Sequence, residues 1–229
     1  MPHYALCMLD KFRCEYIVHF YGAVFIPSNI CMVTEFAQFG SLKDLMKHKK
    51  SDDIDIKIRV KLTIDGARGI LYLHENGILQ RDIKPDNILV ISLDLNEKVN
   101  AKLTDFGSAR NVNLLMTNMT FTKGIGTPVY MAPEVLKQEK YTKSVDIFSF
   151  GITLFEVFGW EDAYKNSKFK FPWKIAEFVV SGKRLKKPKT STNRVISNEE
   201  YNLICECWRQ KREERLVIED VINRLQQLY

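Results

Sequence analysis

A carboxylate, an ammonium and an amide recur within six positions at Asp82, Lys84 and Asn87, between the apolar runs Ile78-Leu79 and Ile88-Leu89-Val90. A carboxylate can accept a proton, an ammonium can neutralise an anion, and carboxylate and amide oxygens suit a hard cation. A polar cluster between two hydrophobic runs reads as a loop joining a helix to a strand, with its polar atoms facing one site. Farther along stand Asp105-Phe106-Gly107 and Ala132-Pro133-Glu134. Taken singly, Asp82, Asn87 and Asp105 could be turn or cap residues, which are common uses of Asp and Asn.

Asp82, four further residues and then Asn87 fit the catalytic-loop pattern H-R-D-x-x-x-x-N, and the two later motifs follow in the order and rough spacing of the same family. With three motifs in register, the chain resembles a protein kinase over nearly all of residues 5–229. The resemblance implies an α+β, protein kinase-like fold. Residues 1–36 would be a remnant of the small β lobe, the end of helix C with strands 4 and 5. Residues 37–229 would form the mainly helical large lobe, with the catalytic loop at 78–90 and the activation segment at 105–134.

The chemistry so implied is phosphoryl transfer, which depends on positioning and charge neutralisation more than on covalent steps. Asp82 would orient the substrate hydroxyl and accept its proton, and Lys84 would neutralise the transferring phosphate. Asp105 would bind magnesium bridging the phosphates of ATP, and Asn87 would hold the second ion. Thr34-Glu35-Phe36-Ala37 matches the hinge between lobes. There the Glu35 carbonyl and Ala37 amide would pair with the adenine edge, Thr34 would limit the pocket behind it, and Leu89 would form its floor. Thr127 would bond Asp82 and Lys84, Asp146 would anchor the catalytic-loop backbone, and Glu134 would pair with Arg215. Arg81 beside the base implies regulation by phosphate on the activation segment, with Thr117, Thr120 and Thr122 as candidates. Lys84 and Gly126-Thr127-Pro128 carry the serine/threonine mark, whereas the hinge and Cys207-Trp208 look tyrosine-kinase-like. That mixture suggests the tyrosine kinase-like group, whose members mostly phosphorylate serine and threonine.

Two departures stand out. Gln80 replaces the family's histidine, a member of the apolar stack with Phe106, Leu9 and Phe20, and its amide needs partners; a weakened stack is expected. No G-x-G-x-x-G loop, strand-3 lysine or complete helix C precedes Phe12, and no glutamate occurs before Glu15. Two readings of different class follow: a serine/threonine protein kinase, or a catalytically silent kinase-fold module that binds partners. Tyrosine specificity is a third, against which Lys84 and Thr127 speak. Strands around residues 16–36 are expected to expose an unpaired edge and apolar surface.

The elements that must position these residues follow from periodicity. Leu6, Leu9 and Phe12 share one face of a helix end at 5–12, and Tyr16–Ala23 and Ile30–Phe36 read as strands joined through Pro27-Ser28-Asn29. Ser41 is a plausible N-cap. A long helix is expected from about Ile54 to His74, with Ile64, Ala67, Leu71 and His74 on one stripe, His74 in the core, and Gly66 and Gly69 marking close packing. Val90–Leu103 reads as two strands around a loop at Asp94–Asn100. Ser144 is expected to cap a helix apolar on nearly every face, which belongs mid-domain. Residues 159–172 are aromatic and lysine-rich without clear secondary structure. Helices at Trp173–Ser181, Asn198–Trp208 and Ile218–Leu228 close the chain.

At 229 residues, 45% hydrophobic and 27% charged, the composition is that of an ordinary globular protein with a sizeable core. There is no apolar run of membrane-spanning length. Asp10 and Lys11 come too early for a signal peptide, and five cysteines without zinc-ligand spacing suit reduced thiols, so a cytoplasmic setting is expected. Of the net charge of +6, a part falls on Lys183, Arg184, Lys186, Lys187 and Lys189, read as a solvated loop after a helix. Protein substrate and ATP are the expected partners, with regulatory proteins besides; neither nucleic acid nor membrane is expected.

Overall fold

The computed structural model describes residues 12–26, 29–111, 127–187 and 195–229. An antiparallel hairpin comes first, β1 (Phe20–Ile26) with β2 (Asn29–Thr34), in the register Ile26↔Asn29 to Phe20↔Thr34 with an irregularity at Gly22. α1 (Leu42–His48) begins at Ser41, whose hydroxyl accepts from the Asp44 amide while the Asp44 carboxylate accepts from the Ser41 amide, a reciprocal capping box. α2 (Ile56–Glu75) is capped by Asp55. Short strands follow: β3 (Ile78–Leu79), β4 (Ile88–Val90), β5 (Ala101–Leu103) and β6 (Arg110–Asn111). β4 pairs with β5 and β3 with β6, both antiparallel. Helices α3 (Pro133–Leu136), α4 (Ser144–Gly159), α5 (Pro172–Val180), α6 (Asn198–Cys207) and α7 (Ile218–Leu228) complete the described chain.

α4 is the centre. Every residue from Val145 to Gly159 is buried: apolar side chains cover most faces, and Asp146, Ser149, Thr153 and Glu156 on the remaining face are hydrogen-bonded within the protein. α2 and α6 pack on α4, and α7 packs on both α2 and α6. Glycines permit the closest approaches. A Cβ on Gly69 would sit 2.8 Å from Leu103 Cδ1 and 2.9 Å from the Tyr16 carbonyl, and one on Gly151 would sit 2.9 Å from Cys207 Cβ. Gly69 thus lets α2 lie directly on β5, the strand that leads into Thr104 and Asp105.

Three expectations need correction. The first strand starts at Phe20 and not at Tyr16. Residues 16–18 belong to a different pairing: Val18 N–H donates to the Leu103 carbonyl and Leu103 N–H to the Tyr16 carbonyl, each at 2.8 Å. Composition alone merges two adjacent pairings into one run. Ser144 is the first residue of α4 rather than its cap; Lys143 holds that position without a capping side chain. The basic run is not uniformly solvated. Arg184 donates to the Trp208 carbonyl at 2.7 Å and lies 5.0 Å over the Phe148 ring, and burial pulls its pKa down to about 10. The helix end at residues 5–11, the turn residues 27–28, Lys189 and the three candidate threonines lie outside the described residues.

The hairpin exposes apolar side chains, Phe25 at 63% and Phe36, just beyond β2, at 86%, with Tyr21, Val24, Met32 and Val33 also exposed. Among the described residues neither strand has a second neighbour.

Replacing Gly69 by alanine is expected to lower stability by about 1–3 kcal/mol, the range for overpacking a close contact, since backbone and Leu103 must both move. Chemical denaturation of the two proteins measures it; an unchanged midpoint would show that the contact yields freely.

Candidate active site

Asp146, in the first turn of α4 and fully buried, fixes the loop after β3. Its Oδ2 accepts the Gln80 amide at 3.1 Å and its Oδ1 the Arg81 amide at 2.9 Å. His74 Nε2, from the end of α2, lies 2.9 Å from the same Oδ2. Arg81 is held at φ +66°, a left-handed conformation that a long side chain adopts only when neighbours impose it.

The bend delivers Asp82 into a network of donors. Lys84 Nζ donates to Asp82 Oδ2 at 2.7 Å and to Thr127 Oγ1 at 2.9 Å. Thr127 donates to Asp82 Oδ1 from its amide at 3.1 Å and from its hydroxyl at 3.0 Å. Asn87 Nδ2 reaches the Asp82 carbonyl at 2.8 Å and Oδ2 at 3.1 Å. Both carboxylate oxygens are therefore aimed, and Asp82 with Thr127 and Arg81 lines a cavity completed by Tyr130 and Tyr141. Such a carboxylate can orient a hydroxyl beside an ammonium that neutralises charge.

Asp105 stands on the far side of this loop. Thr104 N–H donates to the Asn87 carbonyl at 3.0 Å, and the Gln80 amide donates to the Asp105 carbonyl at 2.9 Å. Asp105 sits at φ +54°, and its exposed carboxylate accepts the Gly107 amide at 3.1 Å. Phe106 is buried against Phe12, with ring centroids 5.0 Å apart. Asn87 uses its nitrogen on Asp82, and its amide oxygen and the exposed Asp105 carboxylate are each of the type that could hold a hard cation. Arg81 donates to the Ser108 carbonyl at 2.6 Å and to the Tyr141 hydroxyl at 3.1 Å, while its Nη2 is buried without a partner among the described residues. Arg215 forks onto Glu134 at 2.6 and 2.8 Å, both side chains being buried.

The family model described as "Protein kinase domain" matches residues 6–225. The chain belongs to the protein kinase family. Its relatives include "Probable serine/threonine-protein kinase gdt9" of Dictyostelium discoideum, 33% identical over 228 residues, covering 88% of this chain and 14% of that protein. A serine/threonine-protein kinase/receptor of Acanthamoeba polyphaga mimivirus is 36% identical over 221 residues, 95% of this chain and 12% of that protein. "Probable serine/threonine-protein kinase drkA" of Dictyostelium discoideum is 31% identical over 230 residues, 99% of this chain and 33% of that protein. This kinase chain thus spans between about an eighth and a third of the length of these relatives.

In the kinase chain, the Gln80 amide finds the partners it needs, while Leu9 of the expected stack lies outside the described residues. The Gln80 side chain is fully buried and its amide is matched at both ends: Oε1 accepts the Asp82 N–H at 2.5 Å and Nε2 donates to the Asp105 carbonyl. The amide thus joins the two acidic segments instead of merely filling space. Thr34, Glu35, Ala37 and Leu89 lie apart from the Asp82 network. The segment after Ala37 is bonded to β4, Val90 N–H donating to the Gly40 carbonyl at 2.9 Å and Ser41 bridging Leu89. Thr34 is exposed and its hydroxyl donates to the Glu35 carbonyl at 3.2 Å.

Sequence reasoning missed Lys102, whose ammonium holds both Glu35 carboxylate oxygens at 2.7 and 2.8 Å and so ties the end of β2 to β5. It also missed a polar group under the cavity. Tyr130 donates to Glu156 Oε2 at 2.8 Å, and Lys43 reaches the same atom at 3.1 Å. Burial pushes the Glu156 carboxyl pKa up, against Lys43, which draws it down. Partners 67 and 113 residues apart leave no local spacing signal.

Arg215→Ala is expected to cost about 3–5 kcal/mol because it strands a buried carboxylate, whereas Arg215→Ala with Glu134→Ala should cost less than the single change. A double-mutant cycle by urea denaturation checks the sign; a double variant less stable than Arg215→Ala would contradict it.

Proposed function

We propose that this chain carries the phosphotransfer machinery of a serine/threonine protein kinase, moving the γ-phosphate of ATP to hydroxyls of a protein substrate. The observation that carries the reading is the single network in which Asp82 is held by Lys84, Thr127 and Asn87. Asp82 orients the acceptor hydroxyl and takes its proton as the phosphate arrives. Lys84, bonded to Asp82, also faces the transferring group and neutralises it. Asn87 and Asp105 would hold magnesium, which supplies charge neutralisation on the phosphates; a carboxylate and an amide oxygen fit its preference for few protein oxygens.

Lys84 with Thr127 supports serine and threonine over tyrosine, in keeping with the names of the relatives, and the mixed motifs support the tyrosine kinase-like group. Residues 1–36 serve as part of a small lobe and 37–229 as the large lobe. The Ala37 N–H, which has no hydrogen-bond partner among the described residues, offers a donor to the adenine edge, with Leu89 as its floor. The expected phosphate-sensing role of Arg81 gains support from its unpaired Nη2. A second reading is a partner-binding kinase-fold module without transfer.

The test is transfer of labelled phosphate from ATP and magnesium to a generic basic protein, with the chain alone and fused behind the small lobe of a related kinase. Transfer is expected on serine and threonine, falling at least about a hundredfold in Asp82→Asn. No transfer from either protein would favour the binding module, and phosphotyrosine as the product would overturn the specificity.

A further inference from the structure

The segment Lys165 to Lys174 plays no part in the Asp82 network and presents an unusual surface. Phe169 anchors it, buried edge-on against Tyr164 and Phe178 with ring centroids 5.0 Å from each. Beyond that anchor Phe171, Pro172, Trp173 and Lys174 are exposed in succession, Phe171 at 45% and Trp173 at 56%. The two rings stack at 4.4 Å with planes 10° apart, forming one apolar tip at the start of α5. Lysines surround it. Lys170 lies 5.9 Å over the Phe171 ring and Lys168 4.7 Å over Phe169, and neither has a carboxylate partner among the described residues. Lys174 pairs with Glu177 at the surface, where such pairs are weak, and Lys165 pairs with Glu161, whose carboxylate is largely shielded from solvent.

We propose that this aromatic tip and its lysines form a peripheral contact with the surface of an anionic lipid bilayer. Tryptophan and phenylalanine beside lysines suit the interface between headgroups and acyl chains: the rings enter while the ammonium groups stay among the phosphates. Juxtaposed lysines add attraction to anionic headgroups. Two other occupants fit less well. A single-stranded nucleic acid wants open ring faces, and here each ring covers one face of the other. A peptide wants a groove, and these two rings stand exposed and stacked on each other. No helix among the described residues is long and apolar enough to cross a membrane.

The tip carries its own reporter. Trp160 and Trp208 are buried, which leaves Trp173 as the exposed tryptophan of the three. The full chain is mixed with vesicles of phosphatidylcholine alone or with about a third phosphatidylserine. With the anionic vesicles, tryptophan emission should shift to the blue, brominated lipid should quench it, and the chain should co-sediment. Neutral vesicles should bind at least about tenfold more weakly, and raising the salt should release the chain. Phe171→Ser with Trp173→Ser, and Lys170→Glu by itself, should each reduce co-sedimentation about fivefold or more while leaving the far-ultraviolet dichroism unchanged. The hairpin contains no tryptophan, so sedimentation without a Trp173 shift would assign binding to the hairpin and overturn the proposal. Equal binding to neutral vesicles, or a Trp173 response to polyuridylate in place of vesicles, would overturn it as well.

Discussion

One buried carboxylate sets the geometry on which the site depends. Asp146 sits where α4 begins and takes the amides of Gln80 and Arg81, two consecutive donors of a segment with no regular structure to satisfy them. A backbone N–H buried without a partner costs about 1–3 kcal/mol, so without Asp146 this bend would lie among the unfavourable conformations of the loop. With it, Arg81 is kept in the left-handed region and Asp82 is turned toward Lys84, Asn87 and Thr127. The position of Asp82 is thereby tied to the most deeply packed of the described helices.

Gln80 extends that control sideways. Its backbone is fixed by Asp146, and its amide bridges the Asp82 N–H and the Asp105 carbonyl. The positions of Asp82 and Asp105 are consequently set by one side chain. Glutamine at this place looks on paper like a loss of apolar packing. In the fold it is a two-ended polar brace, and every polar atom it buries finds a partner.

Much of this was legible in the sequence because its signals are local. Ser41 with Asp44, the long helix now seen at Ile56–Glu75, the largely apolar α4 and the closing helix Ile218–Leu228 declare themselves by caps and periodicity. Gly66 and Gly69 announced close packing, and Leu103 and Ile88 supply it. Asp82, Asn87 and Asp105 were conspicuous by spacing, and the fold brings their segments together. What was not legible depends on partners distant in sequence. Lys102 is an ordinary strand lysine until Glu35 meets it, and Arg184 looks like one more surface cation until the Phe148 ring and the Trp208 carbonyl enclose it. The merged first strand failed for a related reason: β-branched residues mark extended chain but do not say with which neighbour each pairs.

The burial of α4 from Val145 to Gly159 also sets a timescale. Amides in such a helix exchange with solvent only when the whole domain opens, while the hairpin, with exposed side chains and bonds on one edge of each strand, opens locally and often. The segment from Gln80 to Asn87 lies between these extremes in sequence, yet its Gln80 and Arg81 amides are bonded to a residue of α4. Irregular though it is, that stretch inherits the slow clock of the core, and Asp82 is re-set far less often than a loop of its composition would be.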